Sequence, residues 1–80
     1  MVREKLRSFV VENLMLGMDG NSLADDASLM DSGILDSVGV LDLVGFLEES
    51  WSFPVADEEL VRENLDSINA LVQFVERKVA

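Results

Sequence analysis

The sequence predicts an all-α fold, a four-helix bundle of three main helices and one short third helix, with a long loop after the first. Three observations carry this reading. Apolar residues recur at three- and four-residue spacing in three segments, the signature of helices with one buried face. The only proline, Pro54, and the Asp19-Gly20-Asn21 turn cluster fall between those segments. The 80 residues are 49% apolar, enough for one domain over 1–80 with a modest core, and this argues against disorder despite a net charge of −10.

Val2, Leu6, Phe9 and Val10 set the first stripe, with Arg3, Glu4, Arg7 and Ser8 off it. Residues from about 2 to 16 therefore read as an amphipathic helix, ended by Gly17 and Asp19-Gly20-Asn21. From Gly17 to Leu35 no period is sustained. A connection of that length in a compact domain is commonly disordered or functional. Leu23, Leu29, Ile34 and Leu35 give it apolar pins, so it reads as an ordered loop crossing the bundle. A second helix starts near Asp36-Ser37 and runs to about Ser50. It carries Gly39 and Gly45, each roughly 1 kcal/mol unfavourable in a helix, so tertiary packing must hold it. Ser52-Phe53-Pro54 breaks the pattern, since proline is excluded from a helix interior. Asp57 is placed to cap the short third helix, with Glu58 and Glu59 in its first turn. Asp66 or Ser67 caps the last helix, whose Ile68, Leu71, Val72, Val75 and Val79 form the clearest stripe in the chain.

Composition removes several chemistries. With no Cys there is neither a disulfide nor a zinc–thiolate site. With no His the usual general base is missing, which excludes Ser-His and Cys-His hydrolysis. The pairs Asp25-Asp26 and Glu48-Glu49 lack the ligand-rich loop of a calcium site and read as solvated charge, so no metal is expected. No apolar run is long enough to span a membrane and no signal-peptide core opens the chain, so a cytoplasmic, monomeric protein is the expectation.

Charge is unevenly placed. From Gly17 to Val61 there are eleven acids and no Lys or Arg. Such a surface repels nucleic acid and anionic membrane and attracts basic protein patches. Placed on a helical wheel, Val40, Leu43, Val44, Phe46, Leu47 and Trp51 share the core side of the second helix, which predicts a substantially buried Trp51. Ser37, Asp42, Glu48 and Glu49 take the other side, yet Val38 and Leu41 fall among those acids with Gly45 between them. Single exposed hydrophobes are ordinary. Two of them ringed by carboxylates, in a base-free stretch and beside a serine at a helix start, form a docking patch with an apolar centre and an acidic rim. Asp36 and Ser37 are both good caps, and the same position suits a phosphodiester, because free amides and the helix dipole stabilise negative charge there.

At Gly33-Ile34-Leu35-Asp36-Ser37-Val38 the chain resembles the carrier proteins of fatty-acid, polyketide and non-ribosomal peptide assembly. The similarity continues in order through Phe46-Leu47-Glu48-Glu49, Trp51-Ser52-Phe53-Pro54-Val55 and Asp57-Glu58-Glu59-Leu60 into the last helix. The resemblance implies a four-helix bundle with 4′-phosphopantetheine, taken from coenzyme A by a phosphopantetheinyl transferase, esterified to Ser37. It implies that Asp36 helps position that transferase, and that Val38, Leu41, Asp42, Glu48 and Glu49 dock partners. It supplies the thiol this Cys-free chain lacks. It also implies that the protein is no enzyme itself, but presents an acyl or aminoacyl thioester to an activating ligase and a downstream transferase.

In one respect the chain departs from the fatty-acid carriers, which commonly place an acid two residues after the modified serine, where this chain has Gly39. The run Asp36-Ser37-Val38-Gly39-Val40-Leu41-Asp42-Leu43 looks more like the discrete aminoacyl and D-alanyl carriers. The expected cargo is accordingly small, with Phe46, Trp51 and Phe53 placed to fill the cleft that a long chain would need. Fatty-acyl or polyketide carriage is the alternative within the class, and an unmodified acidic helical adaptor the alternative outside it.

Overall fold

Leu6 in α1 (Val2–Phe9) and Val10 just beyond it face the bundle, where both are fully buried, while Val2 and Phe9 pack against the core more partially. The computed structural model describes residues 2–15 and 23–79, and every regular element among them is helical. After Phe9 the chain does not continue as the plain helix expected to residue 16. It widens into a π turn, Val10–Leu14, in which the Met15 N–H donates to the Val10 carbonyl at 3.0 Å. The expected end of this helix, at Leu16, Gly17 and Asp19-Gly20-Asn21, lies outside the described residues.

The described part of the loop before the second helix, from residue 23 on, is held by pins and staples, and its first residues, 17–22, lie outside the described ones. Leu23, Leu29, Ile34 and Leu35 are all buried, as their apolar character predicts. Asp25 accepts hydrogen bonds from Arg3 at 2.8 Å and from Arg7 at 2.6 Å, which ties the loop to α1. The Asn69 N–H donates to the Asp25 carbonyl at 2.9 Å, which ties the same point to the last helix. Asp66 gathers the other half. Its carboxylate accepts from the Ser28 hydroxyl at 2.7 Å, the Met30 N–H at 2.8 Å and Arg62 at 3.1 Å, and its carbonyl accepts from the Leu29 N–H at 2.6 Å. Burial alone would raise the Asp66 carboxyl. The bonds from Ser28 and Met30 and the Arg62 charge outweigh it, holding the group below its ordinary value. Gly33 turns the chain at φ 78°, a conformation that side chains with a Cβ rarely take.

α2 (Ser37–Trp51) buries Gly39, Leu43 and Leu47, a narrower stripe than the sequence predicts. Val40, Val44 and Phe46 are only partly buried. Trp51 packs against the core with most of its surface covered, as expected, though it stays outside the fully buried stripe. It is the last residue of α2, at the rim of the bundle, with its ring edge-on to Phe46 at 5.7 Å and the Lys5 ammonium 5.3 Å above it. The chain then leaves the helix through Ser52 in the left-handed conformation, φ 57°, with its N–H donating to the Glu48 carbonyl.

The short third helix is differently built from the prediction. Asp57 does not cap it. Asp57–Glu59 form a 3₁₀ turn, Leu60 and Val61 are non-helical, and α3 occupies Arg62–Leu65. Ala56 takes the cap position, and the Glu59 carboxylate reaches back to accept from its N–H at 2.9 Å. That bond, followed by the pairing with Lys78, holds the Glu59 carboxyl below its usual range. α4 (Ile68–Val79) is capped by Ser67, whose hydroxyl accepts from the Ala70 N–H at 3.0 Å, leaving Asp66 for the loop. Ile68, Leu71, Val72 and Val75 are buried as predicted, Phe74 joins them, and Val79 is half-exposed at the open end. α4 packs against both α1 and α3, with Phe53 edge-on to Phe74 across the base of the core.

Candidate functional site

The extended backbone of Asp36, at φ −121° and ψ −172°, sets up the start of α2. Its carboxylate accepts from the Gly39 N–H at 2.7 Å and its carbonyl accepts from the Val40 N–H at 2.8 Å. This is the N-cap geometry, and it leaves the amides of Ser37 and Val38 without intrahelical partners. Ser37 is the first residue of the helix and is exposed, with its hydroxyl bonded to none of the described residues. An exposed hydroxyl beside two free N–H groups at the positive end of a 15-residue helix fits a phosphodiester. The neighbouring Asp36 carboxylate is turned toward Gly39 and its charge is partly met there.

The root of this serine is held from below. The Leu35 N–H donates to the Leu29 carbonyl at 2.9 Å, so the Asp66 staple bears on the residue before Asp36. Leu35 is buried, and so is Gly39. A Cβ at Gly39 would stand 3.3 Å from the Asp36 carboxylate, 3.4 Å from Leu14 and 3.4 Å from Leu35. The residue that departs from the acid of fatty-acid carriers therefore sits in a closed, mostly apolar niche, where a carboxylate would lose its hydration without gaining a partner. The π turn of α1 is what delivers Leu14 to that niche. None of this was legible in advance. A glycine in the first turn of a helix, with no turn to explain it, is the only signal the sequence offered.

The expected docking residues divide. Val38 is 67% exposed and Leu41 70%, the two most exposed large hydrophobic side chains among the described residues. Asp42 and Glu49 are exposed, and no described base pairs with either. Glu48 has a structural task instead, since its carboxylate accepts from the Val55 N–H at 2.9 Å and fastens the segment after α2. Two residues that sequence reasoning did not assign here, Phe9 and Asn13 of the first helix, border the same surface across a groove from Leu41 and Gly45.

A family described as the phosphopantetheine attachment site matches residues 4–75, a span that runs from α1 into α4 and contains the Asp36-Ser37 cap. Domains of this family are where 4′-phosphopantetheine is attached covalently. No curated protein matches the chain. Among the described residues no helix is long and apolar enough to cross a membrane.

Proposed function

The chain belongs to the phosphopantetheine attachment family, and from that premise we propose that Ser37 is the attachment point and that residues 1–80 form one non-catalytic carrier domain. The observation that carries this reading is the exposed Ser37 hydroxyl at the capped start of α2, inside the matched span. In the modifying reaction the Ser37 hydroxyl oxygen bonds to the pantetheine-bearing phosphorus of coenzyme A. The bond to the second phosphate breaks, adenosine bisphosphate leaves, and the hydroxyl proton passes to a base of the transferase. Asp36 positions the serine by holding the first turn, while Val38, Leu41, Asp42 and Glu49 meet the partner. Glu48 contributes charge at the rim while holding Val55. The partners are the transferase, an activating ligase and a downstream transferase, in the cytoplasm.

Incubation with coenzyme A and a broad-specificity transferase should add the mass of one phosphopantetheine to the protein and none to Ser37→Ala. An unmodified wild-type protein would favour the acidic adaptor.

The cargo we propose is a small aminoacyl unit. The Gly39 run resembles aminoacyl carriers, and ring contacts at two of the three aromatic residues expected to fill a long chain's cleft support the same reading. Phe46 is stacked on Phe9 at 4.2 Å, and Phe53 is buried edge-on to Phe74. Each buried methylene is worth about 0.8 kcal/mol, so a sheltered fatty chain would add visibly to stability. Thermal melts of the holo-protein loaded with a short aminoacyl unit and with a long fatty-acyl unit should both stay near the unloaded value. Marked stabilisation by the fatty chain would restore the fatty-acyl reading.

A further inference from the structure

Three consecutive residues of the loop hang on Asp66. Its two carboxylate oxygens divide the partners: Oδ2 accepts from the Ser28 hydroxyl at 2.7 Å and from Arg62 at 3.1 Å, while Oδ1 accepts from the Met30 N–H at 2.8 Å. Its carbonyl takes the Leu29 N–H at 2.6 Å. Asp66 is itself anchored where α3 meets α4, with its own N–H donating to the Arg62 carbonyl at 3.0 Å. The turn that follows these three residues is closed by backbone bonds. The Gly33 N–H donates to the Met30 carbonyl at 3.1 Å, and the Leu35 N–H to the Leu29 carbonyl at 2.9 Å. Only Asp36 separates Leu35 from Ser37, so there is little slack between the last of these bonds and the hydroxyl.

We propose that Asp66 is a positioning residue for the modification of Ser37, setting the direction of the serine through Leu29 and Leu35. The assignment rests on the carrier reading of Ser37. Buried Leu29, Ile34 and Leu35 fix how deep the segment sits, but apolar burial is non-directional and leaves its tilt free. Hydrogen bonds are directional, and those to Asp66 supply the missing constraint. The Asp36 cap does not, because its bonds from Gly39 and Val40 tie it only to α2. The site also calls for an aspartate, since both side-chain oxygens must accept. An asparagine has one acceptor oxygen and would turn its NH₂ toward the Met30 N–H or toward Arg62, setting donor against donor. Val38 and Leu41, the exposed residues beside Ser37, take no part in these bonds. Loss of the Asp66 contacts therefore spares encounter with a transferase and disturbs the line of attack.

The test follows transfer from coenzyme A to the full chain by a broad-specificity transferase, with kcat and KM for the protein resolved and every variant assayed well below its melting temperature. Asp66→Asn should lower kcat at least about tenfold and leave KM within about twofold, because a misplaced reacting atom slows the chemical step and not the encounter. Ser28→Ala, which removes a single bond, should lower kcat by less, and it carries the test alone if Asp66→Asn melts too low to assay. The double variant should fall short of the product of the two losses, since both remove the same bond. Two controls should keep the wild-type kcat: Val72→Ala, a core truncation beside Val2 that lowers stability elsewhere, and Asp31→Asn, which removes the exposed second partner of Arg62. In ¹⁵N spectra of the unmodified proteins the Ser37 and Gly39 amides should move in Asp66→Asn and hold in Val72→Ala. An unchanged kcat in Asp66→Asn or, where it cannot be assayed, in Ser28→Ala, a loss that Val72→Ala matches, or one confined to KM overturns the assignment and leaves Ser37 as the attachment point. A wild-type protein that accepts no phosphopantetheine overturns the carrier reading, and this assignment with it.

Discussion

Gly39 and Gly45 are six residues apart in one helix and live in opposite worlds. A Cβ on the first would press on Asp36, Leu14 and Leu35, while on the second it would touch nothing. The helix is thus two half-surfaces. One is closed by the π turn of α1 and the loop, and the other is left open between Leu41, Asp42 and Glu49. The lesson is that a weak helix former is explained by what surrounds it. Gly39 is required by internal packing, whereas Gly45 carries a propensity cost that nothing inside the molecule returns.

The sharpest test of that division is a pair of leucines. Leu47 is fully buried and Leu41 is 70% exposed, on the same helix. Leu47→Ala should cost about 2–5 kcal/mol in chemical denaturation. Leu41→Ser should stay within about 0.5 kcal/mol. A comparable loss from both would mean that the two faces are not distinct.

A second pair sets a tied acid against a free one. Asp66→Asn should cost about 1–3 kcal/mol, because it weakens the charge-assisted bonds from Ser28, Met30 and Arg62 that hold the loop. Asp42→Asn should be nearly neutral in stability. The Asp66 carboxyl lies below its ordinary value when folded, so its contribution is present above the unfolded value and is lost as pH falls through the folded one. The gap between wild type and Asp66→Asn should therefore be full at neutral pH and shrink once the pH drops below the ordinary carboxylate range. A gap that widens in acid would contradict the arrangement.

The smallest effect carries the most specific information, because its sign changes. Gly45→Ala should raise stability by up to about 1 kcal/mol, which for a domain of this size is roughly 4–8 °C in melting temperature. Gly39→Ala should lower stability despite the same gain in propensity, since Leu14, Leu35 and the Asp36 cap must yield by a few tenths of an ångström. If both substitutions stabilise, the niche under Ser37 is softer than its distances imply.

Much of this molecule was legible because periodicity reports burial directly. The stripes of the first and last helices, the four apolar pins of the loop, the Asp36 cap and the exposed pair Val38 and Leu41 all follow from spacing and residue type. Val40, Val44 and Phe46 show where that reasoning stops: they lie on the expected core side but are only partly buried, because a helical wheel cannot say how far neighbouring elements cover that side. Asp57 failed for a related reason. Its cap signature was real, but Ala56 takes the cap position with Asp57 inside the 3₁₀ turn, and Leu60 and Val61 separate that turn from α3.

By itself the sequence determined an all-helical bundle, an acid-rich second helix and a single serine beside an aspartate at that helix's start. These depend on local spacing and on composition, which the chain carries without reference to distant residues. Only the tertiary structure decided that Asp66 and not Ser67 would staple the loop, that Glu48 would be drawn into holding Val55, and that Gly39 would be enclosed while Gly45 stood open. Each of those outcomes depends on which side chain arrives from another element. A hydrogen bond or a close packing contact acts over only a few ångströms, so a residue's partners are unknown until the chain has folded.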